Sequence, residues 1–142
     1  PTDQPTVLVD CGSLCACIEH ATGRRPDVTL GKPDPNMHTG IMRRHGLAPD
    51  EIVMTGDRIY TDTAMAHNAG AVGVLVLSGE TTLETARKVA ADEAACLSAA
   101  KRPTTKTTDG RTPAPEFHAP DFVVPDISVL CDLLVTSRMS HQ

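Results

Sequence analysis

The 142-residue chain contains no tryptophan, one tyrosine and two phenylalanines, so it lacks the aromatic platforms on which unpaired bases stack. Positive charge is also scarce. Thirteen Lys and Arg stand against 18 Asp and Glu, a net charge of −5, which disfavours a nucleic-acid backbone or an anionic lipid surface as partner. No nucleic acid and no membrane are therefore expected. No apolar run approaches the ~20 residues needed to span a bilayer, and the opening PTDQPTVLVD has neither an initiator Met nor the basic flank of a secretory leader. The missing Met predicts a processed, proteolysed or truncated polypeptide. Paired CxxC spacing is absent as well. Cys11, Cys15, Cys17, Cys96 and Cys131 are odd in number, which argues against a disulfide framework or a zinc site. Cys11, Cys15 and Cys17, the densest group, are expected as small buried hydrophobes, and a reducing, cytoplasmic compartment fits best.

What is present is organised around Glu51 to Thr82, EIVMTGDRIYTDTAMAHNAGAVGVLVLSGETT. Ile52 to Thr55 run as a strand into Gly56-Asp57, and Asp62 follows. A helical pattern from Asp62 to Ala69 is stopped by Gly70, and Val72 to Leu77 form a second β-branched run ending at Ser78-Gly79-Glu80. The order strand, acidic loop, helix, strand predicts a parallel sheet, whose chemistry gathers where strands end. Two carboxylates at such an end suit a hard cation. Asp62 reads equally as a helix N-cap satisfying free amides. Asp57 has fewer structural uses, since it follows Gly at the end of a buried strand. Arg58 between them is free to pair with either acid or with an anionic substrate. Gly70 and Gly73 do not form a dinucleotide fingerprint, because GxGxxG is absent.

Upstream, Val7-Leu8-Val9 reads as a short strand ending at Asp10, which invites a nucleophile reading but has no second carboxylate two residues on; a turn before a helix is the plainer alternative. Ser13 is the expected N-cap of a helix closed by Gly23. Val28-Thr29-Leu30 reads as a brief strand delivering Gly31-Lys32-Pro33, where a stiff loop presents the Lys32 ammonium as a point charge for a phosphoryl or carboxylate group. Asp34-Pro35 opens a helix, with Met37 and Met42 as core filler, His38 either structural or facing the site, and Gly46 as the stop. Downstream, Leu83 to Ala91 is expected as a helix capped by Thr81 or Thr82. Residues 101–120 have the composition of a flexible insertion loop, Phe122-Val123-Val124 returns as a strand, and Ser128 to Leu134 closes the chain with Leu130, Leu133 and Leu134 inward.

GKPDPNMHTGIMRRHGL followed by EIVMTGDRIYTDTAMAHNAGAVGVLVLSGETT resembles the haloacid dehalogenase (HAD) superfamily, in the phosphatase branch that includes 4-nitrophenyl phosphatase, phosphoglycolate phosphatase and NagD-type nucleotidases. The GKP lysine, the GDRxxTD acid pair, the AGA turn and the LVLSGE strand end occur in order. The likeness covers roughly Cys11 to Glu84 and the tail PDFVVPDISVLCDLL, and CGSLCACIEHATGRRPDV is similar to the segment that follows the cap domain. The resemblance implies an α/β fold, a parallel sheet flanked by helices (a HAD-like Rossmannoid core), incomplete and without the cap, with residues 1–142 as the C-terminal half.

It also implies metal-assisted hydrolysis of a phosphomonoester through an aspartyl phosphate. Lys32 matches the lysine that holds the nucleophile and phosphoryl group, Asp57 the Mg²⁺-ligating acid, and Asp62 the second acid of the metal site; Arg58 is a candidate for substrate binding. One or two carboxylates plus phosphate suffice for Mg²⁺, which keeps several waters. The DxDGT motif that carries the nucleophile, and the Ser/Thr motif after it, are absent. The partners implied are a small phosphorylated metabolite and the missing N-terminal half; a homodimer is compatible with the pattern. The fragment alone is expected to be inactive. A non-catalytic binding or scaffold domain keeping the acid pair and lysine is the alternative. A receiver-like phosphoacceptor is disfavoured because its acids precede the lysine, whereas here Lys32 comes first.

Overall fold

Val72–Val76, a valine-rich run, becomes the middle strand of a three-stranded parallel sheet in a computed structural model describing residues 9–100 and 118–139. The strands are β1 (Val53–Gly56), β2 (Val72–Val76) and β3 (Phe122–Val124), in the order β1-β2-β3. Val53 pairs with Val72 and Gly56 with Leu75, while Val74 pairs with Phe122 and Val76 with Val124. Burial on both faces explains why β2 shows no apolar–polar alternation: Val74 and Val76 pack with Val124, and Leu75, fully buried, packs oppositely with Ile59 and Ala86.

Among the described residues five α-helices accompany the sheet: α1 (Cys11–Thr22), α2 (Asn36–His45), α3 (Ala64–Ala69), α4 (Leu83–Ala100) and α5 (Ile127–Met139). Left-handed glycines close the first three, Gly23, Gly46 and Gly70, as the sequence predicts. α3 is preceded by a π-type turn, Ile59–Thr63, so Asp62 lies inside a wide turn and not at a helix N-cap. α3 packs close to β2 because Gly73 has no side chain: a Cβ there would stand 3.2 Å from the Ala66 Cβ.

Several expectations are corrected. α1 is capped by Asp10, whose Oδ1 accepts the Cys11 N–H, and so begins before Ser13. Asp10 is thus a helix cap. Residues 28–30 form no strand and are exposed, since no described segment pairs with them. Residues 7 and 8 lie outside the described residues, and Val9 belongs to no strand and is exposed. Met42 packs on the core but Met37 is exposed. α4 continues to Ala100, past the expected Ala91, and Thr82 caps it by accepting the Thr85 N–H at 3.2 Å. Its second half is rich in Ala, the strongest helix former, so it needs no apolar stripe to be helical. Of the α5 leucines only Leu130 joins the core; Leu133 and Leu134 are exposed. Cys11, Cys15 and Cys17 are exposed, not buried. Their apolar helical setting suggests burial only where a partner face covers the helix, and among the described residues none covers α1.

Residues 101–117 of the expected insertion loop lie outside the described residues. At its end the chain is tied down: the Glu93 carboxylate of α4 holds His118 Nδ1 at 2.7 Å and accepts the Ala119 N–H at 2.8 Å, and the His118 ring stacks on His67 of α3.

His38, in the first turn of α2, is 2% exposed and its Nδ1 has no hydrogen-bond partner among the described residues. Desolvation therefore lowers its pKa below the ordinary 6.5. The His67 pKa is lowered too, first by desolvation and then by the neighbouring His118. In both cases the unfolded chain takes up protons more readily than the folded one, so stability is full above 6.5 and is lost as pH falls through it. The depressed carboxyls of Glu93 and Asp126 act in the same sense but only below their ordinary values of 4.5 and 3.8. Thermal unfolding should therefore show a melting temperature that drops between about pH 7.5 and pH 5.5. His38→Phe should flatten that drop, and an unchanged slope would show that the imidazole is not held neutral.

Candidate active site

The C-terminal end of β1 is where the chain concentrates its charge. Asp62 is 3% exposed, and such a carboxylate needs partners for both oxygens. It has them. Oδ1 accepts from Lys32 Nζ at 2.7 Å, across 30 residues, and Oδ2 accepts the Arg58 N–H at 3.1 Å. The carboxylate also lies against the strand end: a Cβ on Gly56 would stand 2.2 Å from Asp62 Cγ. Glycine at 56 is thus required by the acid six residues on.

Lys32 arrives from the Gly31–Asp34 turn, closed by the Asp34 N–H donating to the Gly31 carbonyl at 2.9 Å. Asp34 Oδ1 accepts the Asn36 N–H, which starts α2, and Asn68 of α3 donates to the Pro33 carbonyl at 3.0 Å. The loop is therefore fastened to both neighbouring helices, and the Lys32 side chain remains 43% exposed beyond its ion pair.

Asp57, the residue after β1, braces the other side. Its Oδ2 accepts the Glu80 N–H at 2.9 Å and its carbonyl accepts the Thr81 N–H at 3.1 Å. A Cβ on Gly79 would stand 2.3 Å from that Oδ2, so the loop after β2 closes on Asp57 only because residue 79 is glycine. The other oxygen, Oδ1, has no hydrogen bond among the described residues.

Arg58 pairs with neither Asp57 nor Asp62. Its Nε lies 2.7 Å from Glu80 Oε2, while Tyr60 donates its hydroxyl to Glu80 Oε1 at 2.6 Å. Glu80 and Tyr60 were not singled out in the sequence. The signal available was that Arg58 would need a carboxylate once both aspartates were committed, and that Ser78-Gly79-Glu80 ends the adjacent strand. Partial burial opposes the Arg58 charge, but Glu80 more than offsets it and the guanidinium pKa is raised. The Tyr60 hydroxyl is also raised above 10.0, chiefly by its hydrogen bond to Glu80.

Among the described residues no three His, Cys, Asp or Glu side chains gather in metal-ligating range. For Mg²⁺ that is no obstacle, because it takes one or two carboxylates and fills its octahedron with water and phosphate oxygens. Asp57 Oδ1 fits that need. Both Asp62 oxygens are occupied, which suits it to orienting the site from behind.

The model of the HAD-hydrolase-like family matches residues 29–130. Chronophin of Bos taurus is 40% identical over 76 residues, covering 54% of this chain and 25% of that protein. Ribonucleotide monophosphatase NagD of Escherichia coli K12 is 38% identical over 74 residues, 52% of this chain and 29% of that one. Among solved structures, the 4-nitrophenylphosphatase of Thermotoga maritima is similar with a TM-score of 0.56 and 34% identity, over 87% of this chain and 37% of that one. The chain spans about a quarter of the length of the curated relatives it matches.

Tyr60 is the chain's one tyrosine and there is no tryptophan, so absorbance at the tyrosinate band follows this site alone. A spectrophotometric titration should give a single ionisation above pH 10, and Glu80→Ala should bring it down toward the ordinary value; an unchanged midpoint would place Glu80 away from the hydroxyl. Gly56→Ala should push the buried Asp62 carboxylate off both its partners and cost about 2–4 kcal/mol in denaturant unfolding.

Proposed function

The chain belongs to the HAD-hydrolase-like family, and from that premise we propose that it supplies the lysine and the metal-site acids of a Mg²⁺-dependent phosphatase acting on a small phosphorylated metabolite, Asp57 as the ligand and Asp62 as the acid that supports the site. The observation that carries the reading is the convergence of Lys32, Asp62 and Asp57 on the end of β1, with the Lys32 Nζ 2.7 Å from Asp62 Oδ1. Similarity to phosphatases that hydrolyse phosphomonoesters supports the same chemistry here. So does the location, since ligands of open parallel sheets lie beyond the carboxyl ends of the strands.

In this reading each residue has a distinct task. Asp57 offers its free Oδ1 as a metal ligand, while Oδ2 stays on the Glu80 N–H and fixes the carboxylate plane. Asp62 positions Lys32 and the Asp57–Arg58 turn through its two oxygens. Lys32 keeps part of its ammonium in solvent and presents it as a point charge to a phosphoryl oxygen. When bound, Mg²⁺ would neutralise charge on the phosphoryl group and hold it for in-line attack. Arg58, paired with Glu80, is a binding group for an anionic substrate that displaces this carboxylate. The attacking carboxylate is a further residue, because Asp57 and Asp62 are both engaged. Attack through an aspartyl phosphate would be completed by a partner segment presenting that acid.

The 142-residue chain should therefore bind Mg²⁺ in the presence of inorganic phosphate without turning over 4-nitrophenyl phosphate. Isothermal titration should show binding reduced at least about tenfold by Asp57→Asn, the loss of roughly 1.4 kcal/mol. Lys32→Met should weaken phosphate more than metal. Equal Mg²⁺ affinity in the Asp57→Asn variant would overturn the assignment and favour a non-catalytic domain.

A further inference from the structure

α1 carries a thiol cluster that the candidate active site does not use. Cys11 and Cys15 are four residues apart on one helix and both are exposed. Positions i and i+4 lie one above the other, with Cβ atoms about 5–6 Å apart, which brings two sulfurs within reach of one atom. The pair opens onto a cavity of about 510 Å³ lined by Asp10, Cys11, Cys15, Val28, Leu30 and Lys32. Cys17 is two residues beyond Cys15 and so lies about 200° around the helix from it, facing away.

We propose that Cys11 and Cys15 form a two-thiol site for a thiophilic centre satisfied by two sulfurs, the class to which trivalent organoarsenicals belong. Coordination number selects the class. No third His, Cys, Asp or Glu joins the pair to make a metal-ligating group among the described residues, so a tetrahedral zinc site, which needs four ligands or three and a water, is not available. Soft centres prefer thiolate over the oxygen donors nearby. The neighbouring Cys11 thiol raises the Cys15 pKa; two adjacent thiols resist ionisation on their own but give up both protons to a bridging atom. With an arsine oxide the reaction balances without any oxidant: two S–H bonds break, two As–S bonds form, and the oxide oxygen leaves with both protons as water. The apolar wall of Val28 and Leu30 accommodates the organic arm of the reagent.

The test uses the reduced full chain and phenylarsine oxide. Intact-mass measurement should show one adduct at stoichiometric reagent, and thiol assay should show two of the five cysteines protected. Excess ethanedithiol should reverse both. Cys11→Ser or Cys15→Ser should abolish the adduct at the same reagent ratio, and Cys17→Ser should retain it. All three changes are at exposed helix positions, so far-UV circular dichroism should be unaltered. No adduct in the unsubstituted chain, survival of the adduct in Cys11→Ser or Cys15→Ser, or its loss in Cys17→Ser would each overturn the proposal.

Discussion

The structure depends on a buried carboxylate that cannot be left alone. Asp62 is almost wholly withdrawn from water, and an ionised group in that position costs several kcal/mol unless it is paired and hydrogen-bonded. Its two partners come from different parts of the chain: the Arg58 N–H is local, whereas the Lys32 ammonium is brought in from 30 residues upstream. Folding the turn after β1 therefore requires the Gly31–Asp34 loop to dock. That loop in turn starts α2 through Asp34 and is held to α3 through Asn68. One electrostatic requirement thus fixes the position of two helices relative to the sheet.

Asp57 imposes the complementary constraint on the other side of the strand end. Its Oδ2 and carbonyl take the N–H groups of Glu80 and Thr81, so the loop leaving β2 is drawn toward β1. The two acids each need a glycine opposite, Gly56 for Asp62 and Gly79 for Asp57. Close approach of backbone and carboxylate is what makes both glycines necessary, independent of any turn geometry. The parallel register supplies the rest: pairing Gly56 with Leu75 sets both strand ends side by side, and the two loops meet there.

Much of this was legible in the residues. The strands at 53–56, 72–76 and 122–124 follow from β-branched runs bounded by glycine or acid, and Gly23, Gly46 and Gly70 end their helices where the pattern stops. The positions of Lys32, Asp57 and Asp62 came from motif order within a resemblance. What was not legible depended on who faces whom. Glu80 as the partner of Arg58 and Tyr60 requires knowing that the loop after β2 folds back over β1, a contact across 20 residues. The exposure of Cys11, Cys15, Leu14 and Ile18 was hidden for a related reason: an apolar helical face states that it could be covered, not that anything covers it. α4 ran long because propensity, not periodicity, carries its second half.

The residues assigned to chemistry are also the residues that hold the loops, and this overlap has a physical reason. In the proposed function a phosphoryl group and its metal would bring concentrated charge to one point, and the protein would have to present opposite charges there without letting them collapse onto one another. Asp62 achieves this for Lys32 by anchoring the ammonium from its buried side while 43% of the side chain stays open to solvent. The Glu80 N–H achieves it for Asp57, holding one oxygen and leaving the other free. Glu80 does the same for the Arg58 charge through an ion pair at 2.7 Å, so the guanidinium is charge-compensated before any ligand arrives. In each case one bond is spent on orientation and one face is kept for exchange. A site built this way is ordered in advance, which lowers the reorganisation that ligand binding would otherwise demand.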